Sequence, residues 1–245
     1  MTAPVPTAAP VPFDYACTVC GQPFPAGEFA APGAICACSA GRRTMELAAA
    51  VLHTHAHGIH ATLLELAEDP AFTPPRVLDL ALDPALVLTT PDHLVRGDPF
   101  GEGGKSADGG KPGKDGLAPV DLAALPAADA SLDHVLLRDV LFWVPDVPAV
   151  LAEIARVLAD GGHAVFQESF AWQFPEATVE ADPAAEPKRR PAGGTRKPER
   201  RVIGADVLDL MADAGLSGFG YRPGLAVDPH YRDLLLVARR RPRLN

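Results

Sequence analysis

Aromatic side chains are scarce in this 245-residue chain, at 6% of positions with two tryptophans and three tyrosines. Any core must therefore be packed from Ala, Val and Leu. No apolar run approaches the roughly 18 residues a membrane-crossing helix needs, which excludes such a helix. Positive charge is also short: 22 Lys and Arg stand against 31 Asp and Glu, for a formal net charge of −9. That balance argues against broad nucleic-acid affinity, because phosphate binding needs a positive face. The first twelve residues hold no Lys or Arg and no apolar h-region, so no secretory leader is expected and the predicted location is cytoplasmic. Cysteine is confined to Cys17, Cys20, Cys36 and Cys38. In a reducing compartment such clustering points to metal more than to disulfides.

What is present is a normal core broken by punctuation. Apolar residues make up 47% of the chain, and its 26 prolines and 22 glycines cluster in a few stretches that read as loops and linkers. Residues 1–16 read as a flexible arm and residues 17–42 as a cysteine knuckle. An α/β domain over 43–245 follows, with flexible insertions at 101–116 and 175–200.

Within that domain, residues 43–68 carry a helical period (Met45, Leu47, Ala48, Val51, Leu52, then Ile59, Leu63, Leu66) weakened at Gly58. Residues 76–81 form a short apolar run bounded by prolines, read as a buried strand, followed by a brief helix at 83–88 and a strand at 93–96. Residues 120–122 read as a short strand and 132–137 as an apolar one. Residues 147–158 form an amphipathic helix stopped at Gly161-Gly162, with a further strand at 164–166. Strand, helix and strand in that order imply parallel pairing by a right-handed crossover. A helix at 205–214 and a last strand at 234–237 complete the pattern.

Four segments in succession carry a family resemblance. Asp121-Leu122-Ala123-Ala124-Leu125-Pro126, Ser131-Leu132-Asp133-His134-Val135, Val140-Leu141-Phe142-Trp143-Val144-Pro145-Asp146 and the helix ending Arg156-Val157-Leu158-Ala159-Asp160-Gly161-Gly162 resemble the second half of the class I S-adenosylmethionine-dependent methyltransferase core, of the type 11 kind. Most members place a Gly-x-Gly-x-Gly loop after the first strand. Here Asp79-Leu80-Ala81-Leu82-Asp83-Pro84 has no glycine. A subgroup with a glycine-free first loop and a preceding cysteine knuckle is similar on both counts; Cys38-Ser39-Ala40-Gly41-Arg42-Arg43 carries the second likeness. The resemblance implies a Rossmann-like, doubly wound, mostly parallel seven-stranded sheet with a small zinc-ribbon-like knuckle at its N-terminus.

The resemblance also implies roles. Asp79 and Ala81 would lie near the methionine end of S-adenosylmethionine, Asp98 at the ribose, and Asp121 and Leu122 at the adenine, with Arg138 beside the cofactor. Each aspartate has an alternative reading as an ordinary turn or helix cap. Asp139 or His134 would serve as general base where the acceptor is protonated. His134 alternates with Val135, so a structural role competes. Phe142 and Trp143 would line an acceptor pocket or pack in the core.

The four cysteines form two close pairs, suited to a closed, structural tetrahedral zinc, with free cysteines as the alternative. His53, His55, His57 and His60 could share helical faces, yet no carboxylate pattern accompanies them, and a partly exposed face is the expectation. Two functions follow. One is methyl transfer to a small-molecule acceptor, without membrane or nucleic acid and with room for a protein partner. The other is a catalytically inactive methyltransferase-like binding or regulatory protein. The glycine-free loop and Phe142-Trp143 favour the inactive reading; Asp98 and Asp121 favour the transferase, which is preferred.

Overall fold

The apolar run after Pro75 becomes the middle of a sheet. In the computed structural model the protein is described at residues 15–24, 33–55, 59–71, 75–81, 94–97, 119–169, 176–180, 201–221 and 233–242. Strand β3 (Val77–Leu80) pairs in parallel with β4 (Leu94–Arg96) on one side and with β5 (Leu132–Arg138) on the other. Strand β6 (Leu158–Ser169) continues the parallel set, and β10 (Asp233–Arg240) and β9 (Leu216–Tyr221) close the far edge antiparallel. The order is β4-β3-β5-β6-β10-β9. Because the chain steps from β3 out to β4 and back to β5, the switch in strand order lies between β3 and β5.

The two-residue side-chain period sorts this sheet into two packed faces. Leu78, Leu80, Val135, Leu137, Ala164 and Phe166 pack with Leu151 and Ile154 of α3 (Val147–Val157) and with Val207 and Met211 of α4 (Val207–Asp213). Val77, Leu136, Val165 and Leu235 pack on the opposite side with Met45, Leu47 and Val51 of α1 (Arg42–His55) and Leu63 and Leu66 of α2 (Leu63–Glu68). The result is a three-layer α/β sandwich with helices on both faces. Capping fixes the helix starts: Thr62 and Glu65 form a capping box on α2, and the Asp146 side chain accepts from the Ala149 N–H on α3.

The α1 face carries a row pattern set by the β5–β6 register. His134 lies opposite His163, Leu136 opposite Val165, and Arg138 opposite Gln167. An apolar middle thus separates a histidine pair at the amino-terminal pole from a polar pair at the carboxyl-terminal pole. Helix α1 spans the same distance, with Arg43 at one end and His55 at the other, roughly 18 Å apart at the usual rise.

Several expectations change. The helical stretch 43–68 is two helices, in keeping with its weakening at Gly58, and residues 56–58 lie outside the described set. The strand expected at 120–122 does not form. The Asp121 carboxylate takes the Ala123 N–H at 2.9 Å and its carbonyl takes the Ala124 N–H at 3.0 Å, so local turn bonds replace a ladder. The seven-stranded sheet therefore has six strands among the described residues. The arm expected over 1–16 ends in β1 (Tyr15–Ala16), paired with β2 (Pro23–Phe24) inside the knuckle. Strand β6 begins at Leu158 and passes through Gly161, whose φ of 81° suits glycine, so the glycine pair lies within a strand. Strand β9 adds an edge beyond the expected strands. Residues 176–180 include β7 (Val179–Glu180), which pairs with β8 (Arg201–Val202). The helix expected at 83–88, the insertion 101–116 and residues 181–200 lie outside the described residues.

Candidate functional site at the carboxyl-terminal pole

At the end of β3, Asp79 is fully buried and its carboxylate accepts the Ala81 N–H at 2.9 Å, turning the chain out of the strand. Gly97, at the end of β4, presses against the segment leading to Asp121. A Cβ there would stand 2.1 Å from Cγ2 of Val120. Leu122 and Leu125 are buried in the same cluster as Leu80, whereas Asp121 is exposed. The structure thus brings Asp79, Ala81 and the 120–122 turn to one pole. Asp98 lies outside the described residues.

Beyond the end of β5, Asp139 adopts a φ of 54°, the left-handed region that aspartate tolerates better than most residues. Its N–H donates to the Gln167 carbonyl at 2.9 Å, and its own carbonyl accepts the Trp143 indole N–H at 3.0 Å. Arg43 grips the carboxylate with both guanidinium arms and also donates to the Gln167 carbonyl at 3.1 Å. The Gln167 side chain accepts from Arg138 at 2.9 Å and donates to the Arg43 carbonyl and to Glu46. Phe142 and Trp143 are half-buried against the main core.

Glu168 is the adjacent buried acid, 1% exposed. One carboxyl oxygen accepts the N–H groups of Val140 and Leu141 at 2.9 and 3.1 Å; the other has no hydrogen-bond partner among the described residues. Burial pushes this carboxyl up to about 8, against the pull of those two N–H donors. Arg201, also buried, donates to the carbonyls of Leu141, Val144 and Pro145 and pairs with Glu180, fixing the turn from Asp139 into α3.

His134 is not part of this pole. It precedes Asp139 by five extended residues, about 16 Å, and packs under α1 at the opposite end of the sheet. Burial, then the facing His55 and His163, pull its ring down to about 3. The cause of the misplacement is simple: the alternation fixes which face a strand residue takes, not which pole. The histidine run also disperses. His53 stacks on Tyr221, His55 meets His134, His60 pairs with Asp69, and His57 lies outside the described residues.

Gln167, Glu168 and Glu46 are site residues that no sequence motif marks, and Arg43 ends the Cys38–Arg43 segment with no role of its own there. A polar Gln-Glu pair ending an apolar strand was the available signal for the first two. Arg43 and Glu46 depend on where α1 docks, which has no local signal.

In the knuckle, the four thiols converge, with all sulfurs within 4.8 Å of one another. Cys17 lies 3.8 Å from Cys38 and Cys20 lies 3.6 Å from Cys36, and none forms a disulfide. A tetrahedral zinc with bonds of about 2.3 Å separates its sulfurs by about 3.8 Å. The donor set therefore fits zinc. Two turns present it: the Gly21 N–H donates to the Cys17 carbonyl with φ of 78°, and the Ser39 N–H to the Cys36 carbonyl. Burial pushes the Cys17 thiol up and the Cys38 thiol up to about 11.

A doubly wound sheet with the buried Asp79 at its switch point has the Rossmann-like class of architecture. Residues 106–166 match the family model described as a methyltransferase domain. The resemblance to class I S-adenosylmethionine-dependent methyltransferases therefore holds, in the segment that carried it. Among solved structures, a methyltransferase of this type from Methanosarcina mazei is 14% identical, with 69% of this chain and 94% of that one covered and a TM-score of 0.43. YcgJ from Bacillus subtilis is 14% identical over 74% and 97%, with a TM-score of 0.45. The 1,6-didemethyltoxoflavin-N1-methyltransferase of Burkholderia thailandensis, solved with S-adenosylhomocysteine, is 18% identical over 79% and 76%, with a TM-score of 0.42. No curated protein matches the chain. No helix among the described residues is long and apolar enough to cross a membrane.

Proposed function

We propose that this chain transfers a methyl group from S-adenosylmethionine to a small-molecule acceptor held over the carboxyl ends of β3, β5 and β6. The observation that carries this reading is the buried Asp79 carboxylate at the switch in strand order, flanked by the Arg43–Asp139–Gln167 network one strand away. Ligands of doubly wound sheets bind at that point.

When bound, S-adenosylmethionine supplies a methyl group on a sulfonium centre, open to in-line attack. Asp79 accepts from the amino end of the cofactor, and Asp121 accepts from its adenine amino group while Leu122 offers a backbone N–H. Asp98 takes the ribose hydroxyls, and Arg138 closes the wall on the β5 side. Asp139, steadied by Arg43, faces the acceptor and takes its proton where one must leave; Trp143 packs behind it. Much of the rate comes from holding the nucleophile in line rather than from covalent chemistry. Residues 43–245 form the catalytic domain. The knuckle at 17–42 holds a closed zinc that anchors α1 and hence Arg43. A non-catalytic role finds no support in the family match.

Titration of the full chain with S-adenosylhomocysteine tests the reading. Saturable binding is expected, weakened by about tenfold or more in Asp121→Ala, the loss of one hydrogen bond from a charged acceptor. Absence of binding at millimolar ligand overturns it.

A further inference from the structure

The pole opposite the candidate cofactor site carries its own constellation. His134 and His163 lie in register on neighbouring strands, rings stacked with centroids 6.0 Å apart, and His55 from the last turn of α1 meets His134 edge-on at 5.4 Å. They line an open cavity of about 510 Å³ together with His53, Asp133 and Asp160. His134 is 1% exposed, and its Nδ1 has no hydrogen-bond partner among the described residues. A buried imidazole nitrogen left so carries a desolvation cost that a bound ligand would remove.

We propose that His55, His134 and His163 form a second metal site, for a late first-row divalent ion such as nickel, copper or zinc. Imidazole suits those ions, and nothing else in the cluster is soft enough to prefer a cuprous ion. Two imidazoles bound at about 2.0–2.1 Å to one ion hold their ring centres roughly 5–6 Å apart, the spacing observed for both pairs. The nitrogens do not converge on one point here. His55 and His163 lie at half-buried positions, where rotation about χ2, a broad torsion for histidine, is least hindered and would turn their nitrogens toward His134. The cavity leaves room for water in the remaining coordination positions; Asp160 on its wall is engaged by Arg240, so water supplies the oxygen ligands.

The proposal is independent of the cysteine cluster, which lies at the other end of α1 and offers sulfur only. It is also independent of methyl transfer. Its structural effect would be to pin the C-terminal end of α1 to β5 and β6, as the knuckle anchors the N-terminal end.

The test uses the full chain saturated with zinc, then titrated with nickel by calorimetry and absorption. A further equivalent is expected at micromolar affinity, with no thiolate-to-nickel charge-transfer band. His163→Gln and His55→Gln, both at half-buried positions, should each weaken it by about tenfold or more, while His60→Gln, which pairs with Asp69 away from the cavity, leaves it unchanged. His134→Asn should abolish it, and the two milder variants decide the matter if that protein fails to fold. The proposal is overturned by the absence of a further equivalent below about 100 µM, an affinity typical of casual surface binding. It is equally overturned by a thiolate band, by binding that survives in both His163→Gln and His55→Gln, or by loss in His60→Gln.

Discussion

Arg43 and Asp139 form a two-armed ion pair, Nη1 to Oδ2 at 2.8 Å and Nη2 to Oδ1 at 3.0 Å, joining the first turn of α1 to the end of β5. Their side chains are 31% and 18% exposed, so the pair lies between the surface and fully buried cases. Arg43→Ala should lower stability by about 1–3 kcal/mol, above an exposed pair and below a buried one. Lysine at this position should recover little, because a point charge cannot replace the planar fork. Urea unfolding checks this: the midpoint falls and the slope stays.

Loss of the cysteine cluster should act through the same helix and through α2. Thr18, inside the first pair, donates to the Met45 carbonyl at 2.5 Å, and the N–H groups of Leu63 and Leu64 donate to the carbonyls of Thr18 and Val19. Purified protein is expected to hold zinc at one ion per chain. Cys36→Ser, or removal of the metal by a strong chelator, should lower Tm by roughly 10 °C. Elemental analysis finding under about a tenth of an equivalent would remove the zinc reading, since a closed four-thiolate site holds its metal tightly.

These two couplings mark where the sequence stops being informative. The buried parallel strands read out well, because Val77, Leu78 and Leu80 and the run Val135 to Leu137 put apolar side chains on both faces. Helix α3 was equally plain from its period and the Asp146 cap. The site was legible only in part. Asp79 near the end of β3 and Asp139 just past β5 could be placed at the strand ends, but Gln167 meets Arg138 and Arg43 only through the β5–β6 register and the docking of α1. Such pairings lie more than a hundred residues apart in the case of Arg43, at a separation of 124. Strand β9 stayed hidden because Gly218 and Gly220 dilute its pattern, and 120–122 misled because Asp121 bonds its own turn.

Gly97 makes a tight approach at the carboxyl-terminal pole. A Cβ on it would sit 2.1 Å from Val120 Cγ2 and 3.3 Å from Val120 Cβ. Gly97→Ala should therefore force the 119–125 segment away from β4, costing about 1–3 kcal/mol as overpacking does. Shortening the neighbour with Val120→Ala removes the nearer clash and should restore part of that loss. A double-mutant cycle by thermal or urea unfolding measures the coupling, and additive single effects would show that the two segments do not meet.

Glu168 gives the protein a pH dependence of definite sign. Its carboxyl titrates near 4.5 in the unfolded chain and about 8 in the folded one, because burial opposes the charge. Between those values the folded state holds a proton that the unfolded state has released. Stability from this group is therefore full below pH 4.5, falls as pH rises, and is lost once the folded carboxyl ionises near pH 8. The slope is at most about 1.4 kcal/mol per pH unit. Glu168→Gln keeps an acceptor for the Val140 and Leu141 N–H groups and removes the ionisation. Its stability relative to the parent should rise steadily from pH 5 to pH 8, measured by urea unfolding at each pH. The difference curve isolates this carboxyl, since groups common to both proteins cancel. A flat difference would mean that Glu168 ionises normally despite its burial and the nearby Asp139 carboxylate, both of which oppose its charge.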